Sequence, residues 1–195
     1  MKIRSLVLSI CVIIGATSVA QPSMDKFIDT LMSKMTLQEK LGQLNLPVAG
    51  VLTGDKKSEN IIENIRNGNT GGVFSLRGAA ECRKLQEIAV NESRLGIPLL
   101  FGFDVIHGFE TSFPIPLALA SSWDVAMIER MARISADEAS SSGINWAYSP
   151  MVDICRDARW GRIAEGAGED PFLGGEIAKA YVRGYQGDDF AAPNT

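Results

Sequence analysis

The chain has 195 residues, of which 46% are hydrophobic and 22% are charged, and its formal net charge is −4. This composition is typical of a globular protein and supplies enough apolar residues for the core of one sizeable domain. The sequence contains no block of basic residues, so nucleic acid is a poor candidate for a partner.

The first twenty residues have the layout of a secretory signal peptide. Basic residues precede an apolar stretch at residues 6–15, and Ser18 and Ala20 supply the small residues of a cleavage site. An uncleaved membrane anchor is the alternative, but the apolar stretch has about half the length that a membrane span needs. We therefore predict a signal peptide at residues 1–20, one domain over residues 21–195, and export to the periplasm or the medium. After cleavage we expect no membrane attachment.

The predicted domain begins with two short helices. Apolar residues from Met24 to Met35 recur at the three-to-four spacing of a helix face. Thr36 and Glu39 have the spacing of a capping box, in which each side chain binds a backbone N–H group of the first helical turn. This capping box predicts the start of the second helix.

Helices and strands then alternate along the chain. The predicted order is helix 58–67, strand 71–76, helix 79–95, strand 97–103, helix 124–142, strand 144–149 and helix 170–186. Asp124 and Asp170 have the chemistry of N-terminal helix caps. The alternation predicts an α/β fold with a parallel sheet. A doubly wound sheet and a (β/α)₈ barrel both fit this pattern.

The cysteines and the histidine give little sign of a disulfide or a metal site. Cys11 would leave with the signal peptide, which leaves Cys82 and Cys155. An exported protein can hold a disulfide, but two lone cysteines are more often unpaired and buried, so we expect free thiols. His107 is the only histidine, and no cysteine–histidine metal spacing is present.

Residues 153–170 are the most informative stretch. They contain three arginines, five carboxylates and three glycines directly after a predicted strand. Arginine presents five N–H donors in a fixed fork and carboxylates accept from hydroxyls, so this composition suits a polyhydroxyl ligand such as a sugar. From composition alone, a solvated loop held by salt bridges is an equally good interpretation.

The spacing within this stretch, Arg-Asp-x-Arg-Trp-Gly-Arg-x-x-Glu-Gly-x-Gly-Glu-Asp, resembles the signature loop of glycoside hydrolase family 3. Many bacterial β-glucosidases belong to this family. The segment that begins at Met35 is similar to the family's Met-Thr-x-x-Glu-Lys-x-x-Gln opening, and the resemblance extends over residues 24–186. It implies a (β/α)₈ TIM-type barrel. Such a barrel needs about 250 residues, so we expect an incomplete barrel, roughly its first half.

The resemblance also implies the residues that bind the sugar. The family motif Phe-x-x-Asp-x-x-His-Gly supplies an aspartate that grips the terminal sugar, and its counterpart here is Asp104. The Trp-Gly-Arg motif assigns Arg162 to the same sugar, and Glu165 either holds Arg162 or faces the sugar. The implied partner is a β-linked oligosaccharide or glycoside, and no metal or organic cofactor is expected.

Other residues near these positions have more ordinary interpretations. We expect the remaining charged residues of the loop to bind one another, namely Arg156, Asp157 and Arg159. His107 is expected to make a structural hydrogen bond rather than to act as a general base. Trp123 and Trp146 are expected in the core, whereas Trp160 fits a core role and a sugar contact equally well.

Retaining glycosidases need two carboxyl groups, a nucleophile and an acid/base. In the family, the nucleophile lies in a later Ser-Asp motif, a later Lys-His pair binds the sugar, and the acid/base usually comes from a further domain. The sequence contains no Lys-His dipeptide. We therefore predict no catalytic residue in this chain and expect the nucleophile and the acid/base beyond Thr195.

The expected activity belongs to the intact enzyme. We expect that enzyme to hydrolyse terminal, non-reducing β-D-glucosyl or related residues, and this chain alone to be inactive.

Two other functions are compatible with the sequence. One is a non-catalytic sugar-binding remnant that lacks the nucleophile. The other is an unrelated barrel enzyme, such as a lyase, whose basic loop grips a phosphate. No Gly-rich phosphate loop or Walker-type lysine supports the second of these.

Overall fold

The computed structural model describes residues 23–49 and 60–187, which belong to two compact units divided after Lys34. The first unit contains helix α1 (Met24–Lys34), which is amphipathic and has no buried residue. Within the described ranges, no helix has the length and apolar character needed to cross a membrane.

Two predictions concern the ends of the chain. The predicted signal peptide at residues 1–20 lies outside the described residues, and so does Thr195, beyond which we expect the nucleophile and the acid/base. The structure therefore tests neither prediction, and both stay predictions.

The second unit alternates helices with short strands. Its described helices and strands are α2 (Leu37–Gly42), α3 (Ile61–Arg66), β1 (Gly72–Phe74), α4 (Ala79–Glu92), β2 (Leu100–Phe103), α5 (Pro116–Ala120), α6 (Val125–Ser141), β3 (Trp146–Ala147) and α7 (Pro171–Gln186). A 3₁₀ turn at Ile163–Glu165 precedes α7. The predicted α/β fold with a parallel sheet is confirmed. The strands are shorter than predicted, and α5 was not anticipated.

The helix starts follow the sequence signals. The Oγ1 of Thr36 accepts from the backbone N–H of Glu39 at 3.2 Å, and the Thr36 N–H donates to the Glu39 carboxylate at 2.8 Å. The predicted capping box is therefore confirmed. Asp124 and Asp170 each accept hydrogen bonds from backbone N–H groups in the first turns of α6 and α7. These bonds satisfy donors that would otherwise lack a partner at a helix start.

Glu39 also joins α2 to the segment after α4. Its buried carboxylate receives two hydrogen bonds from Arg94, at 2.8 Å from Nε and 2.5 Å from Nη2. The Arg94 guanidinium, followed by the Thr36 backbone N–H, lowers the pKa of Glu39 to about 2. A lowered pKa in the folded state means that this carboxylate stabilises the fold above its ordinary pKa of 4.5. That contribution is lost as the pH falls towards 2.

The strands form one parallel sheet whose spatial order equals the chain order, β1-β2-β3. Gly72 lies opposite Leu100 at the start of the first pair. On the other side of β1, Val48 forms a parallel bridge with Phe74. Four parallel segments therefore follow one another across the sheet, with no reversal among them.

The buried side chains form two clusters. The first lies between the sheet and the helices α3 and α4, and includes Ile65, Val73, Leu85 and Phe101. The second joins α5, α6 and α7, and its buried members include Ile128, Met131, Ile177 and Tyr181. The second cluster fixes α7 beside α6 and thereby positions the loop that leads into α7.

The prediction that Trp123 and Trp146 lie in the core is wrong, because their exposed fractions are 73% and 43%. Alternation along a strand places Trp146 on the sheet face away from the first cluster, where its ring meets Tyr148 at a centroid distance of 5.0 Å. Trp123 lies in the turn before α6. The prediction of free thiols is confirmed, since Cys82 and Cys155 are both buried and unpaired.

Candidate functional site

The polar residues singled out in the sequence lie at the carboxyl ends of the strands. Asp104 directly follows β2, and the loop between β3 and α7 carries Arg162 and Glu165. In parallel α/β folds, ligands bind at this edge of the sheet. The structure brings the three residues close enough together for the charges of Arg162 and Glu165 to shift the pKa of Asp104.

Asp104 has a half-buried carboxylate. Burial, followed by the negative charge of Glu165, raises the pKa of Asp104 above its ordinary value, and Arg162 opposes this shift. Among the described residues, no group donates a hydrogen bond to the Asp104 carboxylate. Both carboxylate oxygens are thus available to accept hydrogen bonds from a ligand, and a carboxylate can accept from two hydroxyls at once.

Arg162 is held in place by Glu165. The Nε of Arg162 lies 3.1 and 3.2 Å from the two carboxylate oxygens, and Nη2 lies 2.6 Å from Oε2. This contact lowers the pKa of Glu165 and raises the pKa of Arg162, which also responds to Asp153 and Asp104. The side chain of Arg162 is 58% exposed, so a ligand can reach it. The sequence predicts that Glu165 either holds Arg162 or faces the sugar. The observed contact is the one with Arg162.

Two further polar residues near the site, Arg159 and His107, make local contacts. Arg159 binds Asp157 through Nε at 2.9 Å and through Nη2 at 2.5 Å, and its side chain is 90% exposed. The Nδ1 of His107 lies 3.0 Å from the carbonyl oxygen of Phe113, which is a structural hydrogen bond within the loop after β2. Trp160 is half-buried.

The loop after β2 is tied down from two sides. The carboxylate of Glu138, on α6, accepts from the backbone N–H groups of Glu110 and Thr111 at 2.9 and 2.8 Å. From the other side, Arg77 pairs with Glu110 at 2.6 Å and lies over the ring of Phe109 at 4.6 Å from its centroid. These contacts hold the segment that follows Asp104.

Sequence reasoning missed a group of hydroxyls behind Asp104. The carbonyl oxygen of Val105 accepts from Tyr185 Oη at 2.7 Å and from Ser149 Oγ at 2.8 Å. No motif marks these contacts, since the hydroxyl residues are 80 and 44 positions away in the chain. The only signal in the sequence is a pair of tyrosines, Tyr181 and Tyr185, one turn apart on the buried face of α7.

Tyr148 was also missed. Its Oη is buried and has no hydrogen-bond partner among the described residues, and it occupies the space where a side chain at position 102 would lie. The charge of Asp104 contributes to raising the pKa of Tyr148, after burial. A Cβ at Gly102 would collide with this hydroxyl, so a larger residue at position 102 would require the Tyr148 side chain to move. Among the described residues, no group of three or more metal-ligand side chains is present.

Comparison with known proteins identifies the family. Residues 36–193 match the family model described as the N-terminal domain of glycosyl hydrolase family 3. The chain belongs to glycoside hydrolase family 3. The family resemblance of the signature loop is thereby confirmed.

Relatives within family 3 include the periplasmic β-glucosidase of Salmonella typhimurium, which is 42% identical over 163 residues, or 84% of this chain and 21% of that protein. The periplasmic β-glucosidase/β-xylosidase of Dickeya chrysanthemi is 32% identical over an alignment of 195 residues, or 85% of this chain and 29% of that protein. The β-glucosidase of Listeria innocua in complex with glucose has a TM-score of 0.73 and 41% identity, over 84% of this chain and 24% of that one. The chain thus spans between a fifth and a third of the length of these relatives.

Proposed function

We propose that this chain supplies part of the sugar-binding site of a retaining family 3 glycosidase that acts on terminal, non-reducing β-D-glucosyl or related β-glycosyl residues. One observation carries the proposal. The Asp104 carboxylate is available to a ligand and lies within electrostatic reach of Arg162, which Glu165 holds in place. A sugar presents neighbouring hydroxyls that both donate and accept. Asp104 can accept from two of them while Arg162 donates to an oxygen of the same ring.

The proposal includes a more specific architecture, in which the second unit is roughly the first half of a (β/α)₈ barrel. Four parallel segments follow one another in chain order, as successive barrel strands do. A doubly wound sheet instead reverses its strand order at the switch point where ligands bind. The site described above lies beside two adjacent strands with no reversal, and this favours the barrel.

The proposed enzyme needs two catalytic carboxyl groups in addition to this part of the sugar-binding site. Retaining hydrolysis requires a nucleophilic carboxylate and an acid/base about 5–5.5 Å apart. We assign neither role to the described residues, because Glu165 is engaged by Arg162 and Asp104 is placed to accept sugar hydroxyls. Both catalytic groups are proposed to lie beyond Thr195 in the intact enzyme. In this proposal the chain alone binds a sugar without cleaving it.

We also propose that the protein is exported, with a signal peptide at residues 1–20 and a mature domain that begins at residue 21. The basic residues and the short apolar stretch at the start of the chain support this proposal. The relatives from Salmonella typhimurium and Dickeya chrysanthemi are both named as periplasmic enzymes.

Titration of the chain with D-glucose and D-xylose tests the proposed site, with Arg162→Met as the variant and Arg159→Met as its matched control. Arg162→Met is expected to weaken glucose binding by about tenfold or more, since a hydrogen bond from a charged donor contributes about 1.5–3 kcal/mol. Arg159→Met should leave the affinity unchanged, because Arg159 binds only within its loop. Calorimetry or NMR gives the affinities. Equal effects of the two variants, or a folded chain that binds neither sugar, would contradict the proposal.

A further inference from the structure

The backbone immediately after Asp104 is strained. Val105 has a φ of 22°, which is uncommon for any residue with a side chain and unfavourable for a β-branched one. Such a conformation persists only where surrounding contacts hold it. Asp104 and Val105 share one peptide group. A Val105 held in this conformation therefore restrains the backbone of Asp104 from its carboxyl side.

Three oxygens meet at this point. The Oη of Tyr185 lies 2.7 Å from the carbonyl oxygen of Val105 and 2.6 Å from Ser149 Oγ, which itself lies 2.8 Å from that carbonyl. Each hydroxyl is placed to donate to the Val105 carbonyl, and either hydroxyl can also donate to the other. Burial raises the pKa of Tyr185 to about 12, so its proton is retained at neutral pH.

The residues of this group come from three elements around the site. Val105 follows β2, Ser149 follows β3, and Tyr185 lies in the last turn of α7. One turn earlier on α7, Tyr181 points the same way, but its hydroxyl is 3.5 Å from the carbonyl oxygen of Ile106. Tyr185 makes the closer contact and makes it to the strained residue.

We infer that Tyr185, together with Ser149, is a positioning residue for Asp104, because their hydroxyls hold the Val105 carbonyl and thereby aim the preceding carboxylate at the sugar. This inference rests on the proposed function of Asp104. This role requires no contact between either hydroxyl and the sugar. Their effect reaches the ligand only through the backbone.

The test compares Tyr185→Phe with Tyr181→Phe in the full chain, by NMR and by glucose titration. Tyr185→Phe keeps the ring and removes the hydroxyl, so the carbonyl and α-carbon signals of Val105 should shift and glucose affinity should fall by about threefold to tenfold. Tyr181→Phe removes a buried hydroxyl from the same helix and should leave both measurements close to wild type. Ser149→Ala should weaken binding and Ser149→Thr, which retains the hydroxyl, should restore it.

The two Val105 donors act on one oxygen, so the combined Ser149→Ala and Tyr185→Phe variant should lose an amount of affinity that differs from the sum of the single losses. Unchanged Val105 signals in Tyr185→Phe would overturn the positioning role. Equal losses of affinity in the Tyr185 and Tyr181 variants would overturn it too. The Val105 signals need no sugar, so failure of the wild-type chain to bind glucose would count separately, against the proposed function.

Discussion

Replacing Asp104 by asparagine is expected to weaken glucose binding by about a hundredfold or more and to raise the melting temperature of the unliganded chain. Asparagine keeps the shape but loses the charge and one acceptor, and hydrogen bonds to a charged group contribute about 1.5–3 kcal/mol each. The stability gain has a separate cause. Burial and Glu165 raise the pKa of Asp104, so the fold disfavours the charged carboxylate, and the neutral amide removes that penalty at neutral pH.

The same shift gives a pH dependence. The pKa of Asp104 in the folded state lies above its ordinary 3.8, so the ionisation of Asp104 destabilises the fold as the pH rises through the folded-state pKa. Sugar binding, in contrast, needs the ionised carboxylate. Glucose affinity should therefore fall on acidification at a higher pH than an ordinary aspartate would give. Asp157→Asn is the matched control, since Asp157 binds Arg159 and has a lowered pKa. An Asp104→Asn variant with near wild-type affinity, or with a lower melting temperature, would contradict the assignment.

Replacing Gly184 by alanine is expected to destabilise the second unit by about 1–3 kcal/mol. A Cβ at this position would lie 2.6 Å from the carbonyl oxygen of Glu129 and 3.1 Å from the backbone nitrogen of Arg133, and would also collide with the Cβ of Ala132. Two of these three atoms belong to the backbone of α6, so a side-chain rotation cannot relieve the clash. Helices α6 and α7 would have to separate, although alanine is by itself the better helix former.

Gly175→Ala provides the control within the same helix. A Cβ at Gly175 has no atom within 4 Å, so this substitution should stabilise the chain by up to about 1 kcal/mol through helix propensity alone. Urea unfolding of both variants gives the two free-energy changes. Effects of the same sign at positions 175 and 184 would show that the close approach of α6 and α7 does not limit the residue at position 184.

Local signals made the helices predictable. Thr36, Asp124 and Asp170 cap helix starts through contacts within three residues, so the sequence contains both partners of each bond. Helix α5 escaped prediction because its five residues are too few to show a period.

The strand boundaries depended on distant partners. The predicted strand at residues 97–103 begins only at Leu100, whose N–H donates to the carbonyl of Gly71 at 3.1 Å. Pro98 has no N–H to donate, and the N–H of Leu99 binds the side chain of Gln86 instead of a neighbouring strand. Apolar composition marks a buried segment but does not show where its ladder starts.

The site was predictable only in part. Asp104, Arg162 and Glu165 belong to motifs that the sequence displays, whereas the hydroxyls of Ser149 and Tyr185 meet Val105 only through the tertiary fold. The prediction for Trp146 is wrong for a related reason. An aromatic residue in a strand is often buried, but alternation also allows it the opposite face of the sheet.

A chimeric enzyme tests the central claim most directly. Residues 36–193 replace the matching segment of the Salmonella typhimurium periplasmic β-glucosidase, and kcat/KM for p-nitrophenyl β-D-glucopyranoside is measured with and without Asp104→Asn. We expect the chimera to hydrolyse the glucoside, and Asp104→Asn to lower kcat/KM by about a hundredfold or more, or about 2.7 kcal/mol. A folded chimera that hydrolyses no glucoside, or one whose activity is unchanged by Asp104→Asn, would contradict the account.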